Sequence, residues 1–465
     1  MPRPTKAQFT ALIVASMMFM EQLDGTILAT ALPFIANSLH VDTVATSVAL
    51  TSYIIGLAIF IPASGALADR LGSRSVLMVA ICIFVASSLF CAQANSLPFL
   101  ACMRTLQGIG GALMVPIGRL VIIRSTPRNQ LVRTMTWMML PATLGPLLGP
   151  VVGGFITTWF SWRWNFYLNI PIGLIGLGLT WRFIPQIYEP SPPPFDLKGM
   201  VLAGGGGLAL LSVFAELFSH AEGSISLRLA LLGAGSLLMA VYCIHAFRVP
   251  APLLDFRLMR IPTFRISVFA GAASRVAVGS LPFLMPSFLQ IGMGLNAAQS
   301  GLVTFTAPIG ALITRPFVPA ILRRWGFRKV LMFNGVSAAV VFTLVASFRL
   351  PHALWLFSLI LACTGAAQAI QFSAYNTIAY ADVPANNMSA ATSLYSTMQQ
   401  IMLSAGICIA AGTLTVLGQI YGHTTPTLGD FSAGFLATGA VSLLAVPFAA
   451  RLAPSAGASM SGNKR

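Results

Sequence analysis

Leu67-Ala68-Asp69-Arg70-Leu71-Gly72-Ser73-Arg74-Ser75-Val76-Leu77-Met78 is answered 254 residues later by Ile321-Leu322-Arg323-Arg324-Trp325-Gly326-Phe327-Arg328-Lys329-Val330-Leu331-Met332. Arg70, Gly72, Arg74, Val76, Leu77 and Met78 recur in one register as Arg324, Gly326, Arg328, Val330, Leu331 and Met332. Both stretches are basic connections between long apolar runs, so charge bias alone accounts for part of the likeness. Six identities at one offset point further, to a duplicated unit. At about 32 residues per helix and loop the offset amounts to eight helices, so the second helix answers the tenth.

The apolar runs follow from composition. Of 465 residues, 56% are hydrophobic and only 8% charged, against roughly a quarter charged in an ordinary soluble domain. A soluble enzyme is excluded. The formal net charge of +16 would elsewhere suggest nucleic-acid binding, but here the charges lie as ones and twos between apolar stretches. A spanning helix needs about 20 mostly apolar residues. Fourteen such segments are expected, at 10–35, 46–67, 75–93, 97–122, 134–158, 165–185, 198–218, 227–247, 264–290, 298–320, 329–347, 352–379, 390–416 and 431–451. The run Gly204 to Gly207 weakens the helix signal in the seventh but suits close helix packing.

The expected fold is an all-α integral membrane protein of 14 transmembrane helices, two six-helix pseudo-repeat bundles with two helices inserted between them. The first bundle occupies 1–185 and a Pro-rich linker 186–197, with Pro190, Pro192, Pro193 and Pro194. The inserted helices take 198–250, the second bundle 251–451 and a tail 452–465. Placing the N-terminus inside puts 20 basic residues on the inner side and 3, Arg163, Arg228 and Arg349, on the outer. Basic residues are retained in the cytoplasm, so both termini are expected there. Arg3 and Lys6 precede an apolar run too long for a signal h-region, and helix 1 is expected to stay. Cys82, Cys91, Cys102, Cys243, Cys363 and Cys408 all fall inside spans, where thiols act as small apolar groups; no disulfide framework or metal-ligand spacing is visible.

Several motifs resemble the major facilitator superfamily, and the fourteen-helix arrangement resembles its drug:proton antiporter branch. Gly65, Asp69, Arg70, Gly72 and Arg74 are similar to its motif between helices 2 and 3, with Ser73 where a basic residue is common. Arg104, Gln107, Gly108, Gly110, Gly111 and Ala112 resemble its helix 4 motif. Gly145, Pro146, Gly149, Pro150, Gly153 and Gly154 resemble the helix 5 signature of exporters, and Leu23, Asp24, Thr26, Ala31, Leu32 and Pro33 the helix 1 motif of that branch. The resemblance covers nearly the whole chain and implies a multidrug efflux transporter working in the export direction.

The charges inside the spans carry the chemistry. Asp24 lies eleven residues before Ile35 and Arg104 seven residues after Leu97, depths of about 16 and 10 Å from the outer helix ends. A charge near the bilayer midplane is costly unless paired or hydrated. Asp24 is therefore expected to take and release a coupling proton, since burial favours the acid and an approaching Arg104 favours the carboxylate. The structural alternative is a permanent ion pair, or an Asp24 bonded to hydroxyls such as that of Thr26. Glu21 sits three residues earlier near the same helix face, either as a second proton site or counter-charge for cationic substrates, or as a hydrogen-bonded acid. Arg275 falls on Glu21 when shifted by the repeat offset, and substrate contact and structural pairing are both open there.

Asp69, beside arginines, is expected to act in a gating loop, pairing or capping a neighbouring helix in one state and releasing it in another. Gly145, Gly149 and Gly153, spaced four apart, give helix 5 a bare face for close approach, while Pro146 and Pro150 kink it. Packing and an exporter hinge explain those glycines equally. The 20 Met and 31 Phe suit an adaptable apolar cavity, although most must face lipid or other helices.

The expectation is a proton-coupled antiporter of the inner membrane that exports hydrophobic or amphipathic drugs by alternating access; a dedicated exporter or importer of a single, anionic metabolite is the alternative. It needs no cofactor beyond the proton gradient, since no Gly-x-x-x-x-Gly-Lys-Ser/Thr phosphate loop is present. Its expected partners are the small hydrophobic substrate, protons and the lipid bilayer, without nucleic acid. A periplasmic adaptor and an outer-membrane channel are candidate partners, and a monomer is the expected state. An embedded enzyme is disfavoured because the five histidines pair with nothing catalytic, and a passive channel because the charges form no rings.

Overall fold

The computed structural model describes residues 6–126, 131–188, 194–218, 225–349, 353–384, 387–423 and 425–457. Of the features anticipated above, Pro190, Pro192, Pro193 and the tail beyond 457 lie outside the described residues. Among the described residues every regular element is a helix. The helices are α1 (Lys6–Ile27), α2 (Leu32–Leu39), α3 (Ser47–Leu71), α4 (Ser73–Ala92), α5 (Leu97–Ser125), α6 (Leu131–Trp159), α7 (Trp164–Tyr167), α8 (Asn169–Phe183) and α9 (Leu197–Phe218). They continue as α10 (Ile225–Arg248), α11 (Pro262–Ser287), α12 (Ala297–Thr304), α13 (Thr306–Thr314), α14 (Val318–Ser347), α15 (Leu354–Ile378), α16 (Met388–Tyr421), α17 (Leu428–Leu443) and α18 (Ala445–Ala450).

Among the described residues, ten helical stretches are long and apolar enough to cross a bilayer, one of them the 51-residue run Ala297–Ser347. Leu144–Trp159 and Leu197–Leu210 are shorter apolar helices. Prolines punctuate the long elements: α1 passes through a tight turn, Leu28–Ala31, into α2 with a proline in its first turn, and Pro282 and Pro286 in α11 precede a wider π turn, Phe288–Gly292. A ring nitrogen cannot donate to the preceding turn, so the helix yields there.

The repeated basic stretches differ from the loops expected of them. Only Gly72, at φ 86° and ψ 139°, separates α3 from α4. Likewise α14 begins at Val318 and runs through the stretch expected as a connection before 329, interrupted only at Gly326, φ 72° and ψ 162°. Glycine alone adopts that conformation cheaply, so two helices meet end to end at each glycine. The expected span 298–320 is correspondingly divided into α12, α13 and a short turn, Arg315–Phe317. The offset also recurs in packing. Gly56 of α3 faces Thr105 and Gly108 of α5, and Gly310 of α13 faces Ala362 of α15.

The apolar core positions the cavity. At one end Leu28, Leu32, Ile35 and Leu50 form a continuous cluster with Phe283, Phe288 and Phe431. At the other end the core separates into one cluster drawn from α1, α3, α4 and α5, including Val14, Leu77 and Phe84, and another from the C-terminal helices, including Val318, Phe327 and Ala445. Between the separated clusters lies a cavity of about 1090 Å³, whose wall reaches Asp69, Arg119 and Asp196. α9 packs on α10, α3 and α16, whereas only 17% of the apolar window of α10 is buried.

Candidate functional site

α1 is broken and held close to α6, because Gly145, Gly149 and Gly153 present backbone where side chains would strike Gln22, Thr26 and Ile27. This proximity carries Glu21 and Asp24 into the centre of the N-terminal helices. From α5, Arg104 Nη1 donates to Asp24 Oδ2 at 2.6 Å and to Gln107 Oε1 at 2.6 Å, while its Nε donates to the Ala49 carbonyl at 3.1 Å. Gln107 Nε2 donates to Asp24 Oδ1 at 2.9 Å and to Ser88 Oγ at 2.7 Å. Asn169, at the start of α8, donates to the same Asp24 oxygen at 2.6 Å. The Arg104 guanidinium lies 4.3 Å from the centre of the Tyr53 ring, a cation–π contact that adds to the pairing.

Both Asp24 oxygens thus receive donors, three side chains from two helices, α5 and α8, an arrangement built for a carboxylate. Asp24 is 1% and Arg104 0% exposed, so the pair has exchanged water for protein partners. Loss of one member of a buried pair typically costs about 3–5 kcal/mol. Thr26 takes no part: its hydroxyl donates to the Gln22 and Leu23 carbonyls of its own helix. Glu21 differs from Asp24. Its Oε1 accepts from the Tyr53 hydroxyl at 3.1 Å, its Oε2 is buried without a hydrogen-bond partner among the described residues, and the residue lines the cavity.

The helix 4 glycines make room for this cluster. Gly108 lies against the Tyr53 backbone, Gly110 against Ala80 and Phe84 of α4, and a Cβ at Gly111 would come within 3.0 Å of the Tyr53 hydroxyl and 3.2 Å of Glu21. On helix 5, Gly154 faces Ala297 and Pro150 faces Gly301, both across to α12. Nearby, the Ala298 amide donates to Thr158 Oγ1 at 3.0 Å and Gln290 Nε2 to the Thr30 carbonyl at 2.9 Å. The helix 5 motif is therefore two-faced: one set of glycines holds α1, and the other closes the end of the molecule opposite the cavity mouth. Pro146 lies on the cavity wall.

At the mouth, Asp69 pairs with Arg124 of α5 at 2.9 Å. Gly65 is exposed, as is Arg70, whose guanidinium approaches the Phe195 ring at 5.8 Å. Gln186 caps α4, its Oε1 accepting from the Arg74 and Ser75 amides at 2.9 and 3.2 Å and its Nε2 donating to Ser75 Oγ at 2.7 Å. Gly72 leaves the space in which Gln186 sits. Asp196 gathers three donors: His245 Nε2 at 2.7 Å, the Gly199 amide at 2.8 Å and the Leu253 amide at 3.2 Å. Burial works to raise the Asp196 carboxyl, but His245 and the two amides outweigh it and hold it below the usual carboxylate range.

Arg275 lines the cavity from α11, with Nη2 donating to Gln399 Oε1 at 3.0 Å and its guanidinium 4.3 Å from the Phe372 ring centre. Sequence reasoning anticipated Asp24, Arg104, Glu21 and Arg275, but missed Tyr53, Ser88, Asn169, Gln186, Gln399 and Phe372. These are neutral residues, and all but Gln186, which follows α8, occupy ordinary helix positions. A search for polar side chains inside apolar windows would have raised Ser88, Asn169 and Gln399 among many others.

The sequence profile of the Major Facilitator Superfamily matches residues 14–407. A putative multidrug resistance protein MdtD of Pectobacterium atrosepticum is 36% identical over 425 residues, 90% of each chain. A protein of the same name from Salmonella heidelberg is 37% identical over 417 residues, 90% of this chain and 88% of that one. Among solved structures, a POT family peptide transporter superposes with a TM-score of 0.69 at 16% identity, over 96% of this chain and 97% of that one. The nucleoside transporter NupG does so with a TM-score of 0.65 at 16% identity, over 96% and 98%. At such identities the solved structures share the fold.

Proposed function

We propose that this chain, which belongs to the Major Facilitator Superfamily and is a multi-pass membrane transporter rather than an enzyme, exports hydrophobic or amphipathic drugs in exchange for protons. The observation that carries the reading is the buried Asp24–Arg104 pair at 2.6 Å, whose Arg104 contributes to the wall of the cavity. Relatives that span nearly the same length and are named as multidrug resistance proteins support the substrate class.

The membrane is taken to be the cytoplasmic one, with both termini and the cavity mouth on the cytoplasmic side; the basic bias of the helix ends supports this. On that orientation the molecule is open inward. The reading includes fourteen crossings, two related six-helix bundles at 1–185 and 251–451, a linker at 186–197 and two inserted helices at 198–250. Equivalent glycines at 72 and 326, and the equivalent crossings at Gly56 and Gly310, support the relation of the halves.

Asp24 acts as the proton carrier. In the inward-open form its oxygens are filled by Arg104, Gln107 and Asn169, the state after a proton has left. Withdrawal of Arg104 during closure would leave a buried carboxylate that must take up a proton. Glu21 serves the same cavity as a second proton site or as a counter-charge. Asp69 and Arg124 form a latch that gates the mouth, and Gly154 with Gly301 forms the opposite closure. No cofactor enters this scheme: the proton gradient supplies the energy, and the chain works as a monomer. A periplasmic adaptor and an outer-membrane channel would extend export past the periplasm. A second reading, transport of a single anionic metabolite, is favoured by Arg275 on the cavity wall.

The test is reconstitution in proteoliposomes with an imposed pH gradient. Movement of a lipophilic dye is expected to follow the gradient and to vanish in Asp24→Asn. Transport unaffected by that change, or driven equally by sodium without protons, sinks the proton role.

A further inference from the structure

We propose that the cavity holds a two-ended subsite for an amphoteric occupant, Arg275 taking its anionic group and Glu21 its ammonium group. The inference rests on the reading that this cavity is the substrate's site and names the charge class it selects.

The charges on the cavity wall are mostly answered by the protein itself. Arg104 is paired with Asp24, Asp69 with Arg124, and Asp196 with His245 and two amides. Asp255 accepts from the Arg257 amide. Two groups away from the mouth are not matched. The neighbours of Arg275, Gln399 and Phe372, are neutral, and no carboxylate among the described residues lies within ion-pairing distance of it. Glu21 keeps one buried oxygen, Oε2, without a partner among the described residues. The two groups do not meet each other, yet both line one cavity and occupy positions 254 residues apart, on α1 and α11.

A cation and an acid facing one low-dielectric space are each costly when left unanswered. A simple cation satisfies Glu21 and leaves Arg275; a simple anion does the reverse and is repelled by the carboxylate that lines the same cavity. A molecule bearing both charges on an apolar body answers both. Tyr53, whose hydroxyl donates to Glu21, and Phe372, beneath the Arg275 guanidinium, both line the cavity and give an apolar body surface to lie against between the charged ends.

The experiment uses four probes that share a naphthalene body: aminomethyl-naphthoate, naphthoate, naphthylmethylammonium and naphthylmethanol. Their equilibrium binding to the purified full chain in detergent is measured without any proton gradient. The zwitterion is expected to bind at least about tenfold tighter than each of the other three. Arg275→Gln and Glu21→Gln are each expected to weaken the zwitterion by about tenfold, the range of a lost hydrogen bond to a charged group. Arg275→Lys should recover most of that loss, and gel filtration establishes that each variant is folded. No preference for the zwitterion, a preference for naphthoate alone, or an Arg275→Gln variant with undiminished zwitterion binding overturns the inference. If selectivity is absent while gradient-driven dye transport persists, this inference fails alone. If dye transport fails as well, the reading on which it rests fails with it.

Discussion

Arg104 meets Asp24 at 2.6 Å with both side chains sealed from solvent, while Glu21, three residues before Asp24, stays on the cavity wall. Two acids on one helix are thus separated in access. Asp24 is enclosed by fixed donors, and Glu21 is within reach of whatever occupies the cavity. If the pair is an electrostatic unit, Arg104→Ala strands a buried carboxylate and lowers stability by about 3–5 kcal/mol. The double variant Asp24→Asn/Arg104→Ala, which removes both charges, is expected to recover a large part of that loss. Thermal unfolding in detergent measures the cycle; additive losses would show the two side chains to be independent.

The helical fold was legible in the sequence because spans are set by bilayer thickness, and a strongly apolar composition has few alternatives. Asp24 and Arg104 were legible for a related reason: a charge inside an apolar window must find a partner. What stayed hidden was geometry. That Gly326 interrupts a single helical run, and that α1 breaks at Leu28–Ala31, depends on how the helix ends stack, which hydropathy does not register. The helix 5 glycines announced close packing but not that they serve two partners, α1 and α12. Asn169 and Gln399 did not stand out from other polar residues in the spans, because a neutral amide carries no charge to be explained.

Gln186 supplies the cap that the start of α4 lacks in its own sequence, where Gly72 precedes the helix and has no side chain. Gln186→Ala is expected to cost about 0.5–2 kcal/mol, the range of a lost helix cap, and to loosen the junction at Gly72. Amide hydrogen exchange over 73–76 should rise while exchange in α5 holds at the wild-type level. An unchanged rate at 73–76 would mean that the helix start is held by packing alone.

Asp196 ties the start of α9 to the end of α10 and to the segment at Leu253. Its folded carboxyl lies below its ordinary value of 3.8, so the stability it contributes is present above that pH and is lost as pH falls through the lower, folded value. Asp196→Asn is therefore expected to melt below the wild type at neutral pH, the two curves converging only below about pH 4. A difference that persists undiminished below about pH 4 would assign the effect to lost hydrogen bonds rather than to charge.

Gly301 of α12 lies against the Pro150 backbone of α6, and Gly154 of α6 against Ala297, so the end of the molecule opposite the cavity mouth closes backbone to backbone. A side chain at Gly301 cannot be accommodated without separating α6 from α12, since its nearest neighbour is a carbonyl rather than a flexible side chain. Gly301→Leu is thus expected to bias the molecule away from the closed form rather than to unfold it. A cysteine placed at Leu32, which is wholly buried in the closing cluster, reports this directly. An impermeant maleimide applied from the face opposite Asp69 should label Leu32→Cys slowly in the wild-type background and several-fold faster with Gly301→Leu. Gly145→Leu supplies the contrast, because its clash is with Gln22 and Leu23 on α1 and does not touch the α6–α12 seam. It should lower thermal stability without exposing position 32. Equal labelling in both variants would mean that the seam does not control access, and that the helix 5 motif acts only by holding α1.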